Sequence, residues 1–206
     1  MEATAVSSDG RISPADSGIY YEDHIVPFAK IARFIKQHGA VAGIQIAHAG
    51  RKASVNTPWE GNDHIDKDHG GWDTIAPSAI AFGGKLNKVP EEMTHDDIAR
   101  VQADFVSAAK RALAAEFECL EIHFAHGYLA HEFYSPLSNK RTDQYGGSFD
   151  NRIRFLMETI VAVRKVWPER LPLLARLSVT DWVEGGRHKR KLIGFCRSPQ
   201  VSSRFQ

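Results

Sequence analysis

The sequence predicts an α/β protein made of parallel βα units, in the pattern of part of a (β/α)8 barrel. Strand-like and helix-like stretches alternate along the chain, which is the order of parallel βα units. The inward positions at the predicted strand ends are polar, whereas a doubly wound sheet keeps its central strands apolar on both faces. Only four strands can be counted, and a complete barrel has eight strands in ~250 residues. The sequence therefore predicts a partial barrel.

Composition and charge suggest one globular domain followed by a tail. The 206 residues are 43% hydrophobic and 25% charged, which is ordinary globular composition, and the net charge of +1 indicates neither nucleic acid nor membrane as a partner. Six of the 26 Lys and Arg lie in residues 187–206, which contain no Asp or Glu. We expect a barrel domain over residues 1–186. The basic tail, 187–206, has the pattern of a shifted reading frame or a disordered end.

The sequence shows no targeting or membrane segment. The first residues lack the basic and apolar regions of a signal peptide, and no apolar run approaches the ~20 residues of a membrane span. The two cysteines, Cys119 and Cys196, form no CxxC pair. A cytoplasmic protein is expected.

Alternation of apolar and polar residues predicts the strands. They cover residues 1–6, 41–47, 119–124 and 171–178. In the third strand, Glu121 and His123 share one face, because side chains two positions apart point the same way. Since a domain seldom opens within a strand, the position of the first strand predicts that the chain is a fragment.

Helical spacing of apolar residues predicts helices between these strands. They cover residues 24–38, 94–113 and 151–167. Gly39 ends the first helix, Thr94 and Asp97 start the second in a near capping box, and Pro168 ends the third. The predicted apolar stripe of the first helix consists of Phe28, Ile31, Ala32 and Ile35.

Two connections are predicted to carry function. Residues 48–93 form a long Gly- and Pro-containing excursion, and connections of this length in a compact domain are usually functional loops. The second connection follows the 119–124 strand, where alternation stops. There His123, His126 and Tyr128 gather where barrel proteins keep their chemistry.

Four long motifs occur in a fixed order and together identify a family. They are Glu2–Val6, Gly43–Lys52, His123–Leu129, and Ser135–Ser148 followed by Asn151 and Arg152. Between Met1 and about Gly186 the chain resembles the Old Yellow Enzyme family of FMN-dependent ene-reductases, and most of all its bacterial NADPH dehydrogenases and xenobiotic reductases. The resemblance implies the β2–β5 portion of the barrel, FMN as cofactor, and NADPH as reductant. It also implies an enone or similar electrophilic alkene as substrate, and homo-oligomers in the full-length family.

The resemblance assigns the reacting groups to His123, His126 and Tyr128. Two imidazole N–H groups that converge on one oxygen would hold a carbonyl and stabilise the charge that grows on it. The tyrosine at this motif position is the family's usual proton donor. From the residues alone, at least one of the two histidines is better interpreted as structural, and Tyr128 could be an aromatic lid.

The resemblance also assigns flavin contacts to Ala3, Gln45 and Arg176. A small side chain at Ala3 lets the ring lie close, the Gln45 amide can both donate and accept, and Arg176 can stabilise negative charge on a reduced flavin. Two plainer interpretations remain open. Gln45 could belong to a buried polar pair, and Arg176 could form a salt bridge to Glu121 or Asp181. The Ser135–Ser148 loop is interpreted as structural, with charges that pair internally.

Two further functions compete with the oxidoreductase. A non-catalytic barrel remnant would keep the motifs but lack a complete cofactor site. A metal-dependent hydrolase would use His123, His126 and His131, although zinc sites usually include further Cys or carboxylate ligands. No metal is therefore predicted. Arg51 and Lys52 are interpreted as solvated loop charges that could attract a cofactor phosphate.

Overall fold

The computed structural model describes residues 1–186. The strands are β1 (Thr4–Ala5), β2 (Gly43–Ala47), β3 (Ile75–Ala76), β4 (Glu91–Glu92), β5 (Cys119–Phe124) and β6 (Leu173–Leu177). The helices are α1 (Ile25–Gln37), α2 (His95–Ala114), α3 (Leu129–Tyr134) and α4 (Phe149–Arg164). The predicted tail, residues 187–206, lies outside the described residues, as does Cys196.

The main sheet contains four parallel strands in the order β1-β2-β5-β6. Strand and helix alternate along the chain, so each neighbouring pair of strands is joined by a crossover that contains a helix. This is the architecture of a partial (β/α)8 barrel, as the sequence predicts. The remaining strands, β3 and β4, pair with each other in a small parallel sheet within the long excursion.

The core lies between the main sheet and the helices. Apolar side chains of β2 and β5 belong to one buried cluster with residues of α1, α2 and α4. In α1 the buried residues are Phe28, Ala29 and Ala32, whereas Ile31 is 38% exposed. The predicted stripe is therefore wrong at Ile31. The helix buries the face that bears Ala29 and Ala32, and Ile31 lies at its margin.

Several predicted boundaries shift by a few residues. Ala3 has a positive φ of 56°, which interrupts the extended backbone predicted from residue 1, and β1 contains only two residues. Helix α4 begins earlier than predicted because the hydroxyl of Ser148 accepts a hydrogen bond from Asn151 N (3.2 Å) and caps its start. The capping box of Thr94 and Asp97 is confirmed at the start of α2.

Among residues 1–186, no helix combines the length and the apolar character needed to cross a membrane. The longest helix, α2, is amphipathic, with buried apolar residues along one face and charged residues along the other. It packs against both α1 and α4. This helix therefore belongs to the layer that covers the outer face of the sheet.

Candidate active site

The carboxyl end of β5 brings His123, His126 and Tyr128 together. The ring centroid of His123 lies 4.9 Å from that of His126 and 5.3 Å from that of Tyr128. His123 stands near the end of β5, while the other two rings come from the turn between β5 and α3. The three predicted reacting groups thus form one cluster at the strand end.

His123 is a buried, neutral imidazole. His123 is only 3% exposed. Burial lowers its pKa to about 4, and the positive charges of His126 and Arg176 add to this effect. At neutral pH the ring therefore carries one N–H and one acceptor nitrogen. Its Nδ1 is buried and has no hydrogen-bond partner within residues 1–186, so a ligand that enters the site could satisfy it.

The His126 turn is held in a left-handed conformation. His126 has a φ of +59°, and its backbone N–H donates to the hydroxyl of Ser178 (2.9 Å). The next N–H, that of Gly127, donates to His131 Nδ1 (3.1 Å). His131 in turn contacts Asp181 through Nε2 (2.9 Å). His131 is therefore a structural residue that fixes the turn and is separate from the reacting cluster.

Tyr128 is half-buried and keeps its proton at neutral pH. Burial raises the pKa of its phenol, and the nearby carboxylate of Asp16 raises it further. Its ring stands at the N-terminus of α3, where Tyr128 is the last residue before the helix begins. A protonated phenol beside two imidazoles is suited to donating a proton to a bound substrate.

Gln45 forms a buried polar link across the floor of the site. It is 6% exposed; its Oε1 accepts a hydrogen bond from Ala3 N (3.1 Å), and its Nε2 donates to Glu121. The interpretation as a buried polar pair is therefore correct. One amide hydrogen and one acceptor lone pair remain for a ligand, because an amide side chain has two of each.

Small residues line a concavity beside Tyr128. The concavity is lined by alanines from β1, from β2 and from the segments flanking them. The small residues of this lining are Ala3, Ala5, Gly10, Ala47 and Ala49. Ala5 and Ala49 are each only 2% exposed, so this concavity is too narrow to admit a flavin ring. The groups that suit a flavin are instead the remaining donor and acceptor of Gln45 and the charge of Arg176.

Arg176 stands on the strand that neighbours the cluster. It is in register with His123 in the parallel β5–β6 pair, so both side chains share the inner face. The two acids considered as its partners hydrogen bond elsewhere. Glu121 accepts from Gln45, and Asp181 accepts from Ser135 (2.8 Å) and contacts His131. Arg176 is exposed, because β6 is the last strand of the sheet within residues 1–186. Its charge lowers the pKa values of both His123 and His126.

Sequence reasoning missed a second layer of site residues around Lys52, Phe82 and Glu132. Arg51 and Lys52 do not act as solvated loop charges. Arg51 Nη1 donates to the carbonyls of Ile80 and Ala81 (2.9 and 3.2 Å), and Lys52 Nζ donates to that of His126 (3.0 Å). Glu132 is fully buried, and burial raises its pKa to about 8. The position of Glu132 next to apolar residues in α3 is the sequence feature that could have indicated a buried carboxyl group.

The structural reading of the Ser135–Ser148 loop is supported by its contacts. Arg141 forms an ion pair with Asp143 inside the loop and donates to the carbonyls of Pro77 and Met93 (3.1 and 2.6 Å). The loop is thereby tied to the long excursion.

Within residues 1–186, no group of three or more His, Cys, Asp or Glu side chains is arranged to hold a metal ion.

The fold is that of part of a (β/α)8 barrel, and comparison with known proteins identifies the family. The sequence profile of the NADH:flavin oxidoreductase / NADH oxidase family matches residues 1–196, and the chain belongs to this family. Its resemblance to the Old Yellow Enzyme family is thereby confirmed.

Curated relatives agree with this assignment. The chain is 48% identical over 197 residues to an NADPH dehydrogenase of Bacillus velezensis, covering 96% of this chain and 53% of the relative. It is 49% identical over 187 residues to an NADH:flavin oxidoreductase of Gibberella zeae, covering 89% and 45%. The chain therefore spans about half the length of the curated relatives it matches.

Solved structures show the same fold. Morphinone reductase in complex with tetrahydroNAD superposes with a TM-score of 0.83 at 25% identity, over 98% of this chain and 57% of that one. The Old Yellow Enzyme homologue of Zymomonas mobilis gives a TM-score of 0.80 at 27% identity, over 98% and 56%. These similarities extend over nearly the whole chain.

Proposed function

We propose that this chain forms the substrate side of an FMN-dependent NADPH oxidoreductase that reduces the C=C bond of α,β-unsaturated carbonyl compounds. The observation that carries the proposal is the cluster of His123, His126 and Tyr128, whose rings lie within 5.3 Å of the central imidazole at the end of β5. Such a cluster offers two imidazole N–H donors for a carbonyl oxygen and one phenol that can protonate a nearby carbon. The reduction of an enone needs both kinds of group, one for its carbonyl and one for its α-carbon.

Each residue of the cluster has a distinct role in this proposal. His123 and His126 donate hydrogen bonds to the substrate carbonyl and stabilise the negative charge that grows on its oxygen as the double bond is reduced. Tyr128 delivers a proton to the α-carbon. The lowered pKa of His123 keeps its ring neutral, so it acts as a hydrogen-bond donor and not as an acid.

Ala3, Gln45 and Arg176 would hold the flavin ring. The alanine provides a close-packed surface, the glutamine presents a donor and an acceptor to the ring edge, and the guanidinium stabilises negative charge on the reduced ring. When bound and reduced by NADPH, the flavin would supply the hydride. We propose the barrel domain, residues 1–186, as the unit that carries these contacts.

Replacing both site histidines tests the substrate assignment. In His123→Ala/His126→Ala, we expect the KM for 2-cyclohexenone to rise at least about tenfold, because hydrogen bonds to a substrate oxygen contribute ~1–2 kcal/mol each. The flavin-to-protein ratio should change little. The exposed His69→Ala variant is the matched control. An equal loss of flavin and substrate binding would contradict the assigned roles.

One observation favours a second candidate, a barrel remnant without catalysis. The chain spans about half the length of its curated relatives, and the proposed flavin contacts lie just before β1, on β2 and on β6 of an open sheet. Gel filtration of the 206-residue chain after incubation with FMN separates the candidates. Retained flavin that NADPH bleaches and an enone reoxidises supports the oxidoreductase, whereas a colourless protein fraction supports the remnant.

A further inference from the structure

The turn after β2 is held in place by the buried carboxyl group of Glu132. The backbone N–H of Arg51 donates to Glu132 Oε1 (3.1 Å). Gly50, with a φ of +60°, packs against the same carboxyl, and a Cβ at this position would lie 2.4 Å from Oε1. Only glycine fits here. The Gly50–Lys52 turn therefore has a defined position relative to α3, the helix that begins just after Tyr128.

The side chain of Lys52 reaches from this turn into the candidate active site. Its Nζ donates to the backbone carbonyl of His126 (3.0 Å) and lies 4.7 Å from the ring centroid of Tyr128. His126 has the positive φ that non-glycine residues rarely adopt. Lys52 thus holds the backbone of one proposed reacting residue and covers the ring of another.

Phe82 closes the other side of the ammonium group. Its ring centroid also lies 4.7 Å from Lys52 Nζ, so the cation is held between two aromatic rings. The Phe82 ring also approaches Gly127 closely, since a Cβ at that position would lie 3.2 Å from it. The guanidinium of Arg51 lies 5.4 Å from the same ring centroid. A charge enclosed in this way stays close to Tyr128.

We propose that Lys52 is a positioning residue for the proton donor: it holds the His126–Tyr128 turn and places a fixed positive charge over the Tyr128 ring. The inference rests on the proposed function and deepens it. When the phenol of Tyr128 releases its proton to the substrate, the oxygen becomes negative, and a cation held over the ring stabilises that charge. A hydrogen bond to the His126 carbonyl alone would not have this effect.

Other titratable or charged groups of the site must be counted alongside Lys52. They are Asp16 from the loop after β1, the neutral His123 and His126 from the end of β5, and Arg176 from β6, whose charge acts on the two histidines. Burial and Asp16 both raise the pKa of Tyr128. A cation 4.7 Å from the ring centroid would act in the opposite direction. Loss of that charge should therefore raise the pKa of Tyr128 further.

Fluorine NMR of the 206-residue chain tests the proposal without requiring turnover. The five tyrosines are replaced by 3,5-difluorotyrosine, which titrates near neutral pH, and the Tyr128→Phe variant assigns the Tyr128 signal. In Lys52→Met we expect the pKa of residue 128 to rise by about one pH unit, the size of a unit-charge interaction at short range in a half-buried site. Lys52→Arg should restore it.

Two further variants separate charge from structure. Lys52→Gln keeps a donor for the His126 carbonyl without the charge, and it should raise the pKa as Lys52→Met does. It also serves if Lys52→Met does not fold. Lys85→Met, which removes an exposed lysine paired with Asp63, is the control and should leave the signal unchanged. A pKa of residue 128 that is the same in Lys52→Gln and the wild type would overturn the proposal.

Failure of the proposed function would look different. If the wild-type chain does not reduce an enone, the oxidoreductase proposal fails, while the NMR titration still reports on Lys52. If the wild-type chain is active, Lys52→Gln should lower kcat for the alkene about tenfold with little change in KM, because the cation acts on proton release. An equal kcat in the two proteins would count against the role of Lys52.

Discussion

At the scale of single residues, the site buries the imidazole of His123, and burial disfavours the charged form of that ring. The pKa of His123 is lowered from 6.5 to about 4, mainly by burial. Below pH 6.5 the unfolded chain therefore binds a proton more readily than the folded chain does. The free energy of unfolding should fall as the pH decreases from 6.5 toward 4, and the contribution of His123 is fully present above that range.

Replacing His123 tests this linkage. In His123→Asn we expect the loss of stability between about pH 7 and about pH 4.5 to be smaller than in the wild type by up to about 2 kcal/mol. Urea unfolding at the two pH values measures it. The exposed His69→Asn variant should retain the wild-type difference. An unchanged pH dependence in His123→Asn would show that the imidazole titrates normally in the folded chain.

Glu132 should produce the opposite pH dependence. Complete burial raises the pKa of its carboxyl from 4.5 to about 8, so over this range the folded chain keeps a proton that the unfolded chain releases. Stability from this group should therefore decrease as the pH rises from 4.5 toward 8. Glu132→Gln keeps an acceptor for the Arg51 N–H and cannot ionise.

Urea unfolding at about pH 5 and about pH 9 checks this expectation. Glu132→Gln should lose less stability than the wild type between the two pH values, by a few kcal/mol at most. The exposed Glu91→Gln variant is the matched control. If Glu132→Gln and the wild type lose stability in parallel, the carboxyl is ionised in the folded chain and is compensated by Arg51 and Lys52.

At the scale of secondary-structure elements, α2 offers the clearest link from sequence to stability. Thr94 accepts a hydrogen bond from Asp97 N (3.1 Å), and the Asp97 carboxylate accepts from Thr94 N (2.9 Å). Thr94→Ala removes the cap and should lower the free energy of unfolding by ~1 kcal/mol. Thr94→Ser keeps the hydroxyl and should remain close to the wild type in the same urea titration. Equal losses in both variants would contradict the capping role.

The strands and helices could be predicted because each carries a local pattern. Thr94 with Asp97 sets the start of α2. Helix α4 ends at Arg164, earlier than the residue 167 predicted from Pro168. The end of β1 could not be predicted in this way, because only its pairing with Ile46 and Ala47 and the left-handed Ala3 define it. Local alternation contains no information about either feature.

The long excursion, residues 48–93, shows why the second layer of the site was missed. Its conformation depends on contacts between residues far apart in sequence. Lys88 Nζ donates to the carbonyls of Ile65 and Trp72 (2.9 and 3.1 Å), and Trp72 Nε1 donates to that of Asp9 (2.9 Å). Phe82 likewise contacts Lys52, which lies 30 positions earlier in the chain. The motifs pointed to the cluster of His123, His126 and Tyr128, and only the fold could show what surrounds it.

At the scale of the whole molecule, the sheet is open within residues 1–186. Strand β6 pairs only with β5 among these residues, and Leu174 of β6 is 49% exposed on the inner face, in register with Glu121. Trp182 and Val183, which follow β6, are 87% and 59% exposed. An unpaired parallel strand next to exposed apolar side chains favours association between chains.

We therefore expect the 206-residue chain to self-associate through the β6 side of the sheet. Sedimentation velocity across micromolar to millimolar concentrations should show a coefficient that rises with concentration. Leu174→Lys should weaken the association, because a charge placed on an apolar edge opposes burial against another chain. Val89→Lys, at an exposed apolar residue of the excursion, should behave as the wild type. A wild-type chain that stays monomeric throughout would mean that the open edge is protected, and the exposed inner face would then be available to FMN in solution.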